Sequence, residues 1–230
     1  MQRRPTPELL DTDSGTPHEV SASLRDLRWF NRWFGGVNTT RKLIESEARK
    51  TRKSGLSLLE VAAGSGFVPQ TARADLECAG IGLKITLLDR ACSHLPRNGS
   101  VPKIAGDALS LPFRDSTFDL VSSSLFVHHL SPAEVVSFAR EALRVCRIAV
   151  LVNDLIRNPL HLVLVYAGMP LYRSRLTRHD APASVRQAYT VTEMQEFFQQ
   201  AGSTKVDVQR HYLFRMGVIA WKRDAGEFKD

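Results

Sequence analysis

The stretch Leu58-Leu59-Glu60-Val61-Ala62-Ala63-Gly64-Ser65-Gly66 constrains the chain more than any other. Strand-compatible residues run through an acid into small residues at 62, 64 and 66, as when a buried parallel strand turns sharply into a helix. A turn whose backbone must touch a ligand tolerates no Cβ, and positive φ is cheap only for glycine. Pro69 falls in the first turn of the next segment, where its missing N–H costs nothing. A helix is therefore expected from Phe67 to about Cys78, ended by Gly80 and Gly82. The spacing departs from the dinucleotide pattern G-x-G-x-x-G, whose middle glycine admits a pyrophosphate. With Glu60 at the strand end, the turn suits a ligand that carries an amine and no pyrophosphate.

Strand and helix patterns then alternate, the signature of an α/β domain with a doubly wound, mostly parallel sheet. Leu83–Leu88 is a second strand ending at Asp89, whose two coplanar oxygens can accept both hydroxyls of a ribose. A short strand at Val101–Ile104 leads into Gly106-Asp107-Ala108-Leu109-Ser110-Leu111-Pro112-Phe113. Asp107 can accept from an exocyclic amine while the N–H of Ala108 donates to a ring nitrogen. Phe118–Ser124 is the fourth strand, followed by Leu125-Phe126-Val127-His128-His129-Leu130. Ligands of open α/β sheets bind outside the carboxyl ends of the strands, which puts this loop at the site. Ser131-Pro132-Ala133-Glu134 is a capping box with proline at the first helical position, starting a helix to about Val145. Ile148–Val152 is a fifth strand. Thr192-Glu193-Met194-Gln195 caps a further helix, and Thr204–Arg210 with Tyr212–Trp221 form the closing strand pair.

The flanks read differently. Residues 1–19 mix charges, prolines and hydroxyl residues without apolar periodicity, and are expected to be a disordered tail. From Val20 to Phe34, Leu24, Leu27, Trp29, Phe30, Trp33 and Phe34 recur at helical spacing until Gly35-Gly36. A second, charged helix with an exposed face is expected over 38–53. After the fifth strand, Pro159–Leu171 is an apolar helix, followed by the basic run Tyr172–Asp180. The two flanks are expected to close an apolar pocket over the carboxyl ends of the fourth and fifth strands. Trp29, Trp33 and Tyr166 would face a substrate, with Arg175, Arg178 and His179 at the rim to orient an acidic or phenolic head.

Three segments agree in order and spacing with a known family. Glu60 to Gly66 resembles motif I of the class I S-adenosylmethionine-dependent methyltransferases, acid-x-G-x-G-x-G, with Ala62 at its first glycine. Gly106 to Phe113 resembles their G-D-A-x-x-L-P-F segment, and Leu125 to Leu130 their hydrophobic-H-H-L segment. The resemblance covers residues 55 to about 155. It implies a seven-stranded Rossmann-like sheet, S-adenosylmethionine as cofactor, and a cofactor set of Glu60, Ala62, Gly64, Gly66, Asp89, Arg90, Asp107, Ala108 and Ser124. His128 or His129 would serve as general base towards an oxygen acceptor. The small-molecule members suggest an acceptor that is aromatic, quinone-like, or of polyketide or isoprenoid type. Ubiquinone-type O-methyltransferases are similar here but carry E-x-x-E-H where this chain has Leu125, His128 and His129. Only His129 matches and the carboxylates are missing, so no metal is expected. The domains implied are a tail at 1–19, a helical cap at 20–54, and a methyltransferase domain at 55–223 with a lid insertion at 157–190.

Lysine and arginine number 31 against 24 acids, a formal charge of +7. The excess is spread along the chain without a run of five like charges, so nucleic acid is not the favoured partner. An RNA methyltransferase and a non-catalytic cofactor-binding regulator stand as alternatives, although no N-P-P-Y-like segment follows the fourth strand. Cys78, Cys92 and Cys146 show no C-x-x-C spacing and fit thiols of a reducing cytoplasm. No apolar signal segment opens the chain, and 159–171 is too short to span a bilayer. The remaining expectations are peripheral membrane contact for a lipophilic substrate, and a monomer or homodimer.

Overall fold

The structure, a computed structural model, describes residues 1–10, 15–91, 95–96 and 99–222. Its strands are β1 (Gly55–Val61), β2 (Gly82–Asp89), β3 (Lys103–Ala105), β4 (Phe118–Ser124), β5 (Cys146–Leu155), β6 (Lys205–His211) and β7 (Arg215–Trp221). They form one sheet in the order β3-β2-β1-β4-β5-β7-β6. The first five run parallel, and β7 lies antiparallel between β5 and β6. The order reverses between β1 and β4, which opens a crevice outside their carboxyl ends. Central strands of such a sheet are buried on both faces. Accordingly Leu58, Leu59, Val61, Leu120, Val121 and Val150 are wholly inaccessible.

Helices cover both faces. On one, α4 (Pro132–Val145) presents Val135, Phe138, Ala139 and Ala142, an i, i+3, i+4, i+7 stripe, beside Met194 and Phe198 of α7 (Val191–Gln200). On the other, α2 (Gly36–Thr51) supplies Leu43, Ile44 and Ala48, and α3 (Phe67–Cys78) supplies Leu76. Ser131 and Glu134 form the expected capping box of α4. The cap of α7 is Thr190 with Glu193, two residues before the expected Thr192. The fifth strand outlasts its apolar run because β7 pairs with it as far as Leu155.

The flanks correct several expectations. Helix α1 (Pro17–Trp33) starts before Val20, because Thr16 and Glu19 make a capping box with Pro17 at the first turn. Helix α2 is charged yet packs into the core; even Glu47 is buried, accepting from the Trp221 indole at 2.8 Å. The basic run after Tyr172 opens a helix. Ser174 caps α6 (Arg175–Gln187), donating its hydroxyl to Glu19 O and accepting from Leu176 N. Helix α5 (Pro159–Ala167) is shorter than the apolar run and continues as a 3-10 turn at Met169–Leu171.

Residues 1–10 do not form a disordered tail. Arg3 donates to the carbonyls of Gln187, His128 and Leu130 at 2.6, 3.0 and 2.9 Å, and its guanidinium lies over the Tyr189 ring. The N–H groups of Leu9 and Leu10 donate to the Asp180 carboxylate at 2.8 and 3.1 Å. This strap joins the loop after β4 to α6. Of the expected tail, residues 11–14 lie outside the described residues, as does Cys92 among the cysteines.

Candidate active site

The β1–α3 turn takes positive φ at Ala62, Gly64 and Gly66, of 54°, 50° and 65°. A Cβ on Gly64 would meet nothing within 4 Å, so its bare backbone faces open space. One on Gly66 would come within 2.6 Å of Leu87 Cδ1, so this glycine is needed for close packing on β2. Gly66 does not line the cavity described below, in contrast to its expected cofactor role. Ala62 holds a left-handed conformation that costs a non-glycine residue roughly 1 kcal/mol.

Asp89, at the end of β2, is buried and organises the turn. Its Oδ2 accepts from Gly64 N at 2.8 Å and its Oδ1 from Ala91 N at 2.9 Å. Each oxygen keeps a second lone pair for a ligand hydroxyl. The Asp89 carbonyl accepts from Gly106 N at 3.1 Å, which ties the β3 loop to this turn. In that loop Asp107 Oδ1 accepts from Leu109 N at 2.9 Å. Glu60 is wholly enclosed beneath the crevice, where burial pushes its pKa up to about 7 against hydrogen bonds from Ser122 and Ser124.

A cavity of about 980 Å³ opens over these strand ends, at the upper limit of ordinary small-molecule sites. One wall holds Glu60, Ala62, Gly64, Asp89, Arg90, Asp107, Ala108 and Ser124. The other is apolar: Leu24, Leu27, Trp29, Phe30 and Phe34 of α1 and its end face Leu164, Val165 and Leu171 after β5. Of the residues expected at the substrate, Trp29 lies here, in edge contact with Phe30 and Phe34. Trp33 points to solvent at 64% exposure. Tyr166 turns outward and receives a hydrogen bond from Arg186. Arg175 pairs with Glu19, Arg178 donates to the Tyr172 carbonyl, and His179 contacts Asp180. None of these five lines the cavity. Once α6 forms, its outer face carries the basic side chains away from the pocket.

Both histidines of the loop after β4 line the cavity. They sit on a 3-10 turn, Val127–His129, with ring centroids 4.2 Å apart. His128 Nδ1 lies 2.6 Å from Asp154 Oδ1, and its backbone N donates to Asp154 Oδ2 at 3.1 Å. Burial opposes charge on His128, but the carboxylates of Asp154 and Glu8 outweigh it and push the pKa up to about 10. These carboxylates favour the protonated imidazole, whereas general-base work needs the neutral one. Glu8 and Asp154 are held below the usual carboxylate range, since the nearby imidazoles override the cost of burial. Glu8, far away in sequence, carries no local signal. Asp154 ends β5 and was within reach of the strand-end rule. Arg215 also lines the cavity fully buried, donating to Phe34 O, Asn153 Oδ1 and Asn31 Oδ1; burial lowers its pKa to about 10.

The reversed strand order in a seven-stranded, mostly parallel sheet is that of the Rossmann-like fold of class I methyltransferases. Residues 59–150 match the family model described as a methyltransferase domain. S-adenosylmethionine is the cofactor of that class. No curated protein matches the sequence. Among solved structures, the plantazolicin methyltransferase BpumL, in complex with a monoazolic desmethyl analogue and S-adenosylhomocysteine, aligns with TM-score 0.67 at 11% identity, over 94% of this chain and 95% of its own. The S-adenosylmethionine-dependent methyltransferase SibL aligns with TM-score 0.62 at 16% identity, over 95% of this chain and 63% of its own. A candidate O-methyltransferase from Nostoc punctiforme aligns with TM-score 0.52 at 18% identity, over 85% and 60%. The chain thus spans less than two thirds of the Nostoc protein, and likeness at these identities is likeness of fold.

Proposed function

We propose that the chain transfers the sulfonium methyl group of S-adenosylmethionine to a small, largely apolar acceptor. One observation carries the reading: a single cavity joins the polar strand-end wall to an aromatic and aliphatic wall built by α1 and α5. Asp89 holds the ribose hydroxyls, Asp107 and the Ala108 N–H read the adenine, and Glu60 faces the ammonium of the methionine moiety. Arg90 and Ser124 border the same wall. Trp29, Phe30 and Leu164 enclose the acceptor, with His128 and His129 on its reacting side. The protein's main task is alignment, since the cofactor supplies the electrophile. The apolar face of α5 continues from the cavity to the surface, and the acceptor reaches the site from an anionic lipid surface.

The test is transfer of labelled methyl from S-adenosylmethionine to a panel of apolar phenols, quinols and polyketides, with RNA alongside. Methylation within the panel supports the reading. Methylation of RNA alone, or tight cofactor binding without turnover on any acceptor, overturns it.

A further inference from the structure

Among the described residues, Glu8, His128 and His129 form a group whose potential ligand atoms all lie within 4.8 Å of one another. The Glu8 carboxylate presents one oxygen to each ring: Oε1 lies 3.6 Å from His128 Nε2 and Oε2 lies 4.0 Å from His129 Nε2. Both distances exceed a hydrogen bond. They suit three donors drawn about a cation at roughly 2.0–2.2 Å from each. We propose that these three side chains bind a borderline divalent metal ion of the zinc type on the acceptor wall of the cavity.

The surroundings support the donors as an outer shell does. Asp154 takes the Nδ1 side of His128, which turns Nε2 towards Glu8. Ser184 Oγ and Gln187 Nε2 donate to Glu8 Oε1 at 2.5 and 2.8 Å. Arg3 in turn grips the His128 and Gln187 carbonyls and so fixes the strap that delivers Glu8. Two imidazoles and a carboxylate are a donor set for zinc or iron, and three protein ligands leave coordination positions open. Those positions face the cavity, so the ion would favour an acceptor with an oxygen donor. That selectivity rests on the methyl-transfer reading; the cation site does not. Metal and proton compete for His128 Nε2, so binding releases a proton. The local sequence could not show the site, because Glu8 lies 120 residues from His128.

The test uses the untagged full chain without cofactor or acceptor. Co²⁺ is titrated as a spectroscopic stand-in and then displaced with Zn²⁺. One equivalent with visible absorption bands is expected, and Zn²⁺ should shift the imidazole ¹⁵N signals of both His128 and His129. Glu8→Gln and His129→Ala should each weaken binding by more than the roughly 10- to 100-fold that loss of an outer carboxylate costs. His18→Ala, exposed and remote from the cavity, should leave it unchanged. Absence of a stoichiometric equivalent in the wild-type chain, unshifted His128 and His129 signals, or wild-type affinity in both variants overturns the proposal. The wild-type readouts stand even if a variant fails to fold.

Discussion

At the scale of single residues, Glu60 carries the sharpest pH dependence. Its folded pKa of about 7 lies above the 4.5 of an unperturbed glutamate, so folding favours the protonated form. The stability it contributes is complete below 4.5 and declines as pH rises through 7, by at most about 3 kcal/mol. Glu60→Gln should flatten that slope in denaturant melts at pH 5 and pH 8. The cofactor's ammonium favours the ionised form, so wild-type binding should release a proton and weaken below about pH 7. Calorimetry in buffers of different ionisation enthalpy measures the release, and a buffer-independent enthalpy contradicts it. Asp89→Ala should cost roughly 2 to 4 kcal/mol in cofactor affinity, since two charge-assisted hydrogen bonds at about 1.5 to 3 each are lost and water partly replaces them. Unchanged affinity would place the ribose elsewhere. Asp89, Asp107, Gly64 and both histidines were legible because each follows a strand end at a fixed step. Glu8 was not, for a contact across 120 residues leaves no local pattern.

At the scale of elements, sequence periodicity recovered β2, β4, α3 and α4 nearly to the residue, since apolar stripes and caps are local. It failed at α6, where a hydroxyl cap outweighed a basic composition, and at the strap, which has no periodicity and is held by side chains of α6. The strap should act on the acceptor and leave the cofactor alone. Arg3→Ala removes three hydrogen bonds from a charged donor, each worth about 1.5 to 3 kcal/mol before water compensates, and frees Glu8 from the histidines. It should raise the acceptor KM at least tenfold while the cofactor Kd stays within about threefold. Steady-state kinetics and equilibrium dialysis separate the two, and an unchanged KM would remove the strap from the site. Deleting residues 1–36 takes away α1 as well and should abolish turnover.

At the scale of the whole molecule, the surface around α5 is the outlier. No residue of α5 is buried, and Leu160, Val163 and Leu171 are more than half exposed, on a chain of charge +7. No described helix is long and apolar enough to cross a membrane. An apolar patch with a basic excess suits the face of an anionic bilayer. Cosedimentation with phosphatidylserine vesicles should therefore fall between 0.05 and 0.5 M salt, as screening shortens the reach of the charges. Leu160→Glu with Val163→Glu should abolish it. Equal binding to neutral vesicles, or none, would remove the lipid surface from the account.

The strap also sets a schedule for biosynthesis. Arg3 seats on the Gln187 carbonyl, 184 positions downstream. At about 5–20 residues per second, Arg3 waits roughly 9–37 s for its partner to be made. The strands from β1 to β5 are all made during that interval, whereas the contact of Arg3 with Gln187 can form only after it. A nascent chain would then gain the ability to hold its cofactor well before it could close on a substrate.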